Sequence, residues 1–306
     1  MTMPLIDVIL CTHNPRSTFL GAALGSLAGQ TLSKDAWRLL IIDSGSKPSI
    51  QELISAGMVE THGLDFRLYR EEESGLTRAR IRGIREGTAE LLVFLDDDNL
   101  LSTGFLSTAL EVIASHPYIG AIGGRIEGVF ERDPSDFVSR HESSLGIRSF
   151  EAKRWSNNYD LEIVPAGGGM VVTRKVCERY AGEVSAEGSR FRLDKKGPDF
   201  SYAGDVDMVL SANDLGLGHG VFPELLLYHQ VPGSRMNRRY IRRSSYGKGK
   251  SITLLLHYRG LRRSTPVLFL NSLVGGVGKL LRFDTVGFYA HFGALSAHIE
   301  IWRSAA

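Results

Sequence analysis

The sequence predicts an α/β protein built on a mixed, mostly parallel sheet with helices on both faces, and three observations carry that prediction. Short β-rich apolar runs alternate with helix-length segments through about the first 125 residues. The runs are nearly continuous in apolar residues, as strands covered on both faces require. Polar clusters stand at the C-terminal ends of three of them, the edge at which open α/β sheets bind ligands.

Taken in order, Ile6–Thr12 (IDVILCT), Arg38–Asp43 (RLLIID), Phe66–Tyr69 and Glu90–Leu95 (ELLVFL) read as strands, with a weaker one at Ile119–Ile122. Thr18–Ala28, Gln51–Ala56, Leu76–Glu86 and Phe105–Ser115 read as the helices between them. Glu127–Asn158 is polar and irregular and reads as a surface excursion. Glu162–Thr173 (EIVPAGGGMVVT) reads as a strand, a glycine turn and a second strand. Gly204–Leu215 reads as a loop leading into a helix, and Gly220–Gln230 as a final strand. From Arg235 onward helices dominate, with bases at Arg238-Arg239, Arg242-Arg243, Lys248, Lys250 and Arg262-Arg263. The expected division is a body over 1–234 and a helical, basic C-terminal extension over 235–306.

Composition narrows the classes. With 306 residues, 43% apolar and 23% charged, the chain is neither disordered, collagen-like nor a disulfide scaffold. The formal charge of +2 conceals an asymmetry. Met1 to Glu224 holds 23 Lys/Arg against 32 Asp/Glu, whereas Leu225 to Ala306 holds 13 against 2. An acidic body with a basic tail points to an anionic surface or membrane, not to a nucleic acid. Two cysteines, Cys11 and Cys177, make no disulfide framework and fit a reducing compartment. No basic segment opens the chain, and no run reaches the ~18 apolar residues of a membrane span. The expectation is a cytoplasmic protein, peripheral at the inner face of the cell membrane.

Chemistry concentrates in three places. Leu91–Asn99 (LLVFLDDDN) carries a buried run out to Asp96, Asp97 and Asp98. Adjacent carboxylates repel, and a divalent cation that also holds phosphate oxygens relieves them; the alternative is a solvated acidic turn. In Gly204-Asp205-Val206-Asp207, at a loop-to-helix junction, either acid suits an N-cap and either suits a general base. In Leu226-Leu227-Tyr228-His229-Gln230-Val231-Pro232 a histidine ends an apolar strand, and it is either a structural histidine or a metal ligand. More weakly, Arg78 and Arg80 near one helix start could reach a phosphate, with Arg82 and Arg85 solvated. Gly167-Gly168-Gly169 admits a ligand to the backbone or makes a turn. Neither GxGxxG after the first strand nor GxxxxGK[ST] is present, and there is no HExxH or GxSxG.

In content and order these motifs resemble the family 2 glycosyltransferases, with the nucleotide-sugar-binding, Rossmann-like GT-A fold. VILCTHNP looks like the opening strand, IIDSGS the second-strand motif, and GLTRARIRGI the helix before the metal site. FLDDDN resembles the DxD element, PAGGGMVVTR the glycine-bearing strand, GDVDM the acidic catalytic element and HQVPGSR the late-histidine segment. Together they span roughly residues 5–235.

The resemblance implies an inverting transfer from a nucleoside-diphosphate sugar to a hydroxyl acceptor, a glycan or lipid-linked glycan in polysaccharide assembly. Thr12 and Asp43 would hold the nucleoside, Arg80 would face the nucleotide, and Asp96 would lie near the ribose with Asp97 beside it. Asp98 would bind Mg²⁺ or Mn²⁺ on the diphosphate, with His229 as an additional ligand. Asp205 would be the base, and Arg235 would add positive charge near the leaving phosphate. Two departures stand out. The helix reads Ala79-Arg80-Ile81 where the family has ARN, and Gly204 replaces a glutamate before Asp205. A catalytically silent nucleotide-sugar or membrane-surface binding protein is the alternative, and a sugar-phosphate nucleotidyltransferase the third. The apolar stretches Ser264–Gly278 and Thr285–Ile299 would meet an anionic membrane, the body of the protein or another copy of the chain.

Overall fold

A computed structural model describes residues 4–194, 200–262 and 264–305. Arg263, counted above among the basic groups, lies outside the described residues. Among the described residues the strands are β1 (Ile6–Thr12), β2 (Trp37–Asp43), β3 (Phe66–Arg70), β4 (Leu91–Asp96), β5 (Asn99–Leu101), β6 (Ile119–Phe130), β7 (Arg154–Ser156), β8 (Met170–Thr173) and β9 (Gly218–Val231). The α-helices are α1 (Ser17–Ala28), α2 (Ile50–Ser55), α3 (Leu76–Glu86), α4 (Phe105–Ser115), α5 (Asp136–Ser139), α6 (Arg174–Glu187), α7 (Gly204–Asp214), α8 (Arg238–Tyr258), α9 (Pro266–Leu281) and α10 (Thr285–Ala305).

The strands join one mixed sheet in the order β3-β2-β1-β4-β8-β6-β9-β5, with β7 on β9. Pairing is parallel across β3-β2-β1-β4, and antiparallel where β8 meets β4 and β6 and where β9 meets β5 and β7. The expected α/β architecture is therefore present, with a helical C-terminal region.

Every residue of β1 is buried, which explains why alternation is missing from its sequence. Ile6, Val8 and Leu10 point to one face, into a core shared with Leu20, Leu24 and Leu27 of α1, Ile50 of α2, and Phe105 and Leu106 of α4. Ile9 points to the other face, against α3: a methyl group at Gly83 would lie 2.3 Å from its Cγ2. That glycine lets helix and strand close up where any side chain would force them apart. α6 covers the same face, tied by Arg174, whose guanidinium donates to the carbonyls of Ile84 and Ala89 at 2.7 and 2.9 Å.

Several elements differ from the expectations: β5 is an added short strand, and α5 and β7 lie inside the stretch 127–158 expected to be irregular. Glu162–Val164 is not a strand: Pro165 brings no N–H to a ladder, and the Glu162 and Val164 carbonyls accept from the Arg148 guanidinium instead. α6 was not anticipated, because it starts directly at the end of β8 without a turn residue between them. β6 runs on to Phe130, twelve residues where four were expected.

Contacts group the chain into two compact units. One comprises 1–129, 146–186 and 205–230; the other comprises 130–145, 187–204 and 231–306. The second is helical. α8 and α10 cross where side chains are missing: methyl groups at Gly249 and Gly293 would lie 2.0 Å from the carbonyls of Ala290 and Tyr246. Lys250 and Glu300 pair across the same contact at 2.7 Å. α8 also packs on α5 and on the short 3₁₀ turns 142–145 and 189–193.

Candidate active site

Strand register assembles the first part of the site. β1 pairs with β2 and β4 so that Thr12 stands opposite Asp43 and Cys11 opposite Asp96. Three sequence-distant polar clusters thus share one sheet edge, as the sequence predicts. The Thr12 hydroxyl donates to Asp97 Oδ2 at 2.5 Å, joining the first cluster to the acidic triplet.

Asp43 is only 2% exposed, and both its oxygens are engaged. Oδ1 accepts from the Ser46 N–H at 2.8 Å; Oδ2 accepts from the Ile50 N–H at 3.2 Å and from the Arg70 guanidinium at 2.9 Å. Its carboxylate therefore ties the loop 44–50 and holds Arg70, its partner in the β2–β3 register. Sequence reading missed Arg70, because an arginine ending a short strand carries no signal of its own.

Asp96 and Asp97 are half-buried and Asp98 is buried. β5 pairs with β9 so that Asn99 stands opposite His229, and the Gln230 N–H donates to the Asp98 carbonyl at 2.8 Å. This register brings His229 Nε2 to 3.5 Å from Asp98 Oδ2, with the Asn99 amide donating to Asp98 Oδ1 at 3.1 Å. The acid and the histidine, each singled out separately in the sequence, are neighbours.

The glycine run connects these groups to Asp205. A methyl group at Gly168 would lie 1.8 Å from Asn99 Oδ1 and 3.6 Å from Asp96 Oδ2. One at Gly167 would lie 2.4 Å from Arg80 Nη2 and 3.2 Å from Asp205 Oδ2. Two glycines without side chains are what allow Asp96, Asn99, Arg80 and Asp205 to converge. Asp205 sits in the first turn of α7, where a helix N-terminus favours an anion. Its Oδ2 accepts from the Gly167 N–H at 2.9 Å and its Oδ1 from the Val206 N–H at 2.8 Å. Asp205 is half-buried, whereas Asp207 is fully buried; of the two acids, Asp205 is the one a substrate can reach.

On α3 the arginines divide. Arg80 is 3% exposed and turned to Gly167. Arg78 pairs with Glu73 at 2.8 Å and Arg82 with Glu86 at 2.9 Å, both part-exposed, and Arg85 donates to Ser185 at 3.2 Å. Sequence reading also missed Arg148, in the 127–158 excursion. Burial pulls its guanidinium below the ordinary arginine pKa, and the Asp205 carboxylate opposes that shift. Arg148 thus stands near enough to Asp205 for the two charges to interact. Arg235 belongs to the other compact unit, where its charge acts on the Tyr202 phenol.

Asp98 and His229 offer a hard oxygen and an imidazole nitrogen, donors that divalent cations accept. Their side chains are 12% and 14% exposed and close enough to share one ion. Among the described residues no group of three or more His, Cys, Asp or Glu side chains could hold a metal unaided. The donor set therefore fits a cation whose remaining positions are filled by a substrate's oxygens.

Residues 7–181, more than half of the chain, match the model of the family described as Glycosyl transferase family 2. The chain belongs to that family. Among relatives of this family 2 member, Glycosyltransferase AglE of Haloferax volcanii is 26% identical over 126 residues, 41% of this chain and 40% of AglE. The match thus takes in less than half the length of that protein. Succinoglycan biosynthesis protein ExoM of Rhizobium meliloti is 23% identical over 279 residues, 88% of this chain and 82% of ExoM. Among solved structures, the mannosyltransferase PcManGT from Pyrobaculum calidifontis, in complex with GDP-Man and Mn²⁺, superposes with a TM-score of 0.55 at 16% identity, covering 99% of this chain and 75% of that one. The last likeness is one of fold.

Proposed function

We propose that this family 2 member is an inverting, metal-dependent glycosyltransferase acting on a nucleoside-diphosphate sugar and a hydroxyl acceptor. The observation that carries the reading is the convergence of Asp205 and Arg80 on Gly167, beside Asp96 and Asn99 on Gly168. That arrangement offers a reachable carboxylate, a buried cation and a side-chain-free floor within one small volume.

Asp205 takes the proton of the acceptor hydroxyl as its oxygen attacks the anomeric carbon. The bond from that carbon to the diphosphate oxygen breaks, and the nucleoside diphosphate leaves with the electron pair. One displacement from the opposite face inverts the anomeric configuration. The Gly167 and Val206 N–H groups and the nearby Arg148 charge hold the Asp205 carboxylate in its half-buried place. Arg80 supplies fixed positive charge to the phosphates. Thr12, Asp96 and Asp97 line the nucleoside side, and Asp43 acts there through the loop it ties and the Arg70 it holds. Asp98 and His229 would hold the divalent cation, Mg²⁺ or Mn²⁺, which when bound supplies Lewis-acid stabilisation of the leaving diphosphate. The likeness to ExoM supports an acceptor in polysaccharide assembly, a glycan or lipid-linked glycan.

A donor screen tests the reading. UDP- and GDP-sugars incubated with the protein, Mn²⁺ and candidate acceptors should release free nucleoside diphosphate, with product of inverted anomeric configuration by NMR. Pyrophosphate as the product would mean nucleotidyl transfer, and binding without any product a silent fold. Retained configuration would remove the single-displacement step. A second test is steric. Gly167→Ala should push Arg80 Nη2 aside and raise the donor KM by ~10-fold, since a misplacement of about an ångström at a site can cost up to 10²-fold. An unchanged KM in a folded variant would mean that Arg80 does not touch the donor.

A further inference from the structure

α9 is turned inside out for a helix of a soluble protein. Its inner side is small: Gly275 and Gly276 lie against His291 of α10, where a methyl group would come within 2.6 and 3.3 Å of the imidazole ring and Cβ. Its outer side carries the large residues. Val267 is 66% exposed, Leu270 55%, Val274 63% and Val277 47%, a stripe at helical spacing that continues to Leu281 at 75%. A soluble helix normally shows the opposite arrangement, and a continuous exposed apolar stripe marks an interaction surface.

The turn that follows adds an independent observation. Phe283 is 92% exposed and has φ +58°, a left-handed conformation that glycine adopts freely and a bulky residue rarely does. It closes the α9–α10 turn, with its N–H donating to the Leu280 carbonyl at 3.0 Å. A phenylalanine at such a position, with its ring in solvent, gains nothing within the fold.

Charge decides what covers this face. Exposed bases stand at both ends of the stripe: Arg262 before α9, and Lys279 and Arg282 at its end. No acid occurs from Leu225 to Phe283. Asp284 and Glu300 follow, and pair with Lys279 at 3.1 Å and Lys250 at 2.7 Å. Two copies packed stripe to stripe, parallel or antiparallel, would set base against base at each end. An anionic lipid surface presents the complementary charge and accepts the apolar stripe. Sixteen residues span only about 24 Å, and among the described residues no helix is long and apolar enough to cross a membrane.

We propose that the outer face of α9, with Phe283 at its end, is a membrane-surface docking element that lies flat in the headgroup region of an anionic bilayer. The proposal extends the functional reading and is tested without substrate. The 306-residue chain is floated with vesicles of phosphatidylcholine alone and of phosphatidylcholine with phosphatidylglycerol. It should rise with the anionic vesicles, at least ~10-fold less with the neutral ones, and less in high salt. Val274→Gln combined with Leu281→Gln, both exposed, should cut flotation by ~10-fold or more without changing the far-UV circular dichroism. Lys279→Gln combined with Arg282→Gln should cut it selectively for anionic vesicles. Flotation of the Val274/Leu281 variant equal to that of the parent would overturn the assignment. So would failure of the parent to float together with a concentration-dependent dimer in sedimentation, which would make the stripe a subunit interface.

Discussion

Asp205→Asn is expected to lower turnover by about 10²- to 10⁴-fold, the range that a positioned general base contributes. The variant keeps an oxygen to accept the Gly167 N–H, so α7 and the glycine strip should stay in place. The donor KM should therefore move little, and the loss should appear in kcat. Nucleoside-diphosphate release under donor saturation, beside a thermal melt of the same preparation, separates lost chemistry from lost fold. Near-parental turnover in a folded Asp205→Asn would sink the base assignment. Asp207→Asn is an instructive companion: Asp207 is fully buried, so its replacement should show first in stability.

The largest expected stability effect lies at the other end of β1. The Asp7 side chain is completely buried, yet every direction around it is filled. Arg38 donates two hydrogen bonds to Oδ1 at 2.9 and 2.7 Å, and the N–H groups of Thr88 and Ala89 donate to Oδ2 at 2.5 and 2.8 Å. Arg174 stands 3.6 Å away and is itself fixed to the carbonyls of Ile84 and Ala89. Asp7→Ala removes one anion and leaves two guanidinium groups and two backbone donors, that of Ala89 buried, without it. Breaking a buried pair in this way costs about 3–5 kcal/mol. For a unit of this size that corresponds to a fall in Tm of roughly 10 °C. Asp7→Asn, which keeps acceptor capacity on one side only, should fall between the two. A loss below about 1 kcal/mol in urea denaturation would mean that the pocket rehydrates.

What the sequence makes legible here is whatever is encoded locally. β1, α3 and α4 announce themselves because uninterrupted apolar runs and helical spacing are bounded by polar or glycine residues, and their observed limits coincide with the expected ones. The shared edge of Thr12, Asp43 and Asp96 follows from the same logic, since parallel strands starting together must end together. α6 has no such punctuation and merges with β8. The site is legible as a set of residue types but not as an arrangement. Asp98 and His229 meet only because β5 pairs with β9 in one particular register, and no spacing in the sequence encodes that pairing. Arg148 is hidden more deeply still. Its partners are the carbonyls of Glu162 and Val164 and the charge of Asp205, so neither its neighbours nor its surroundings in the sequence mark it. The glycine run reads equally well as a turn until Arg80, Asp205, Asn99 and Asp96 are seen pressed against it.

The order in which the chain visits its two compact units carries a practical and a biological consequence. The boundary is crossed at 129, 145, 186, 204 and 230, so the last quarter of the sequence is not an appendage that can be trimmed. Val138, Leu145 and Leu193 are buried on segments whose packing partner is α8. A deletion after Gly233 would leave those segments without a core while leaving the acidic triplet and Asp205 formally present. Such a fragment would aggregate or be degraded for reasons unrelated to catalysis or to lipid. During synthesis the same threading means that the early segments wait for residues made much later: the first unit needs the chain through residue 230, and the second needs its last segment, 231–306.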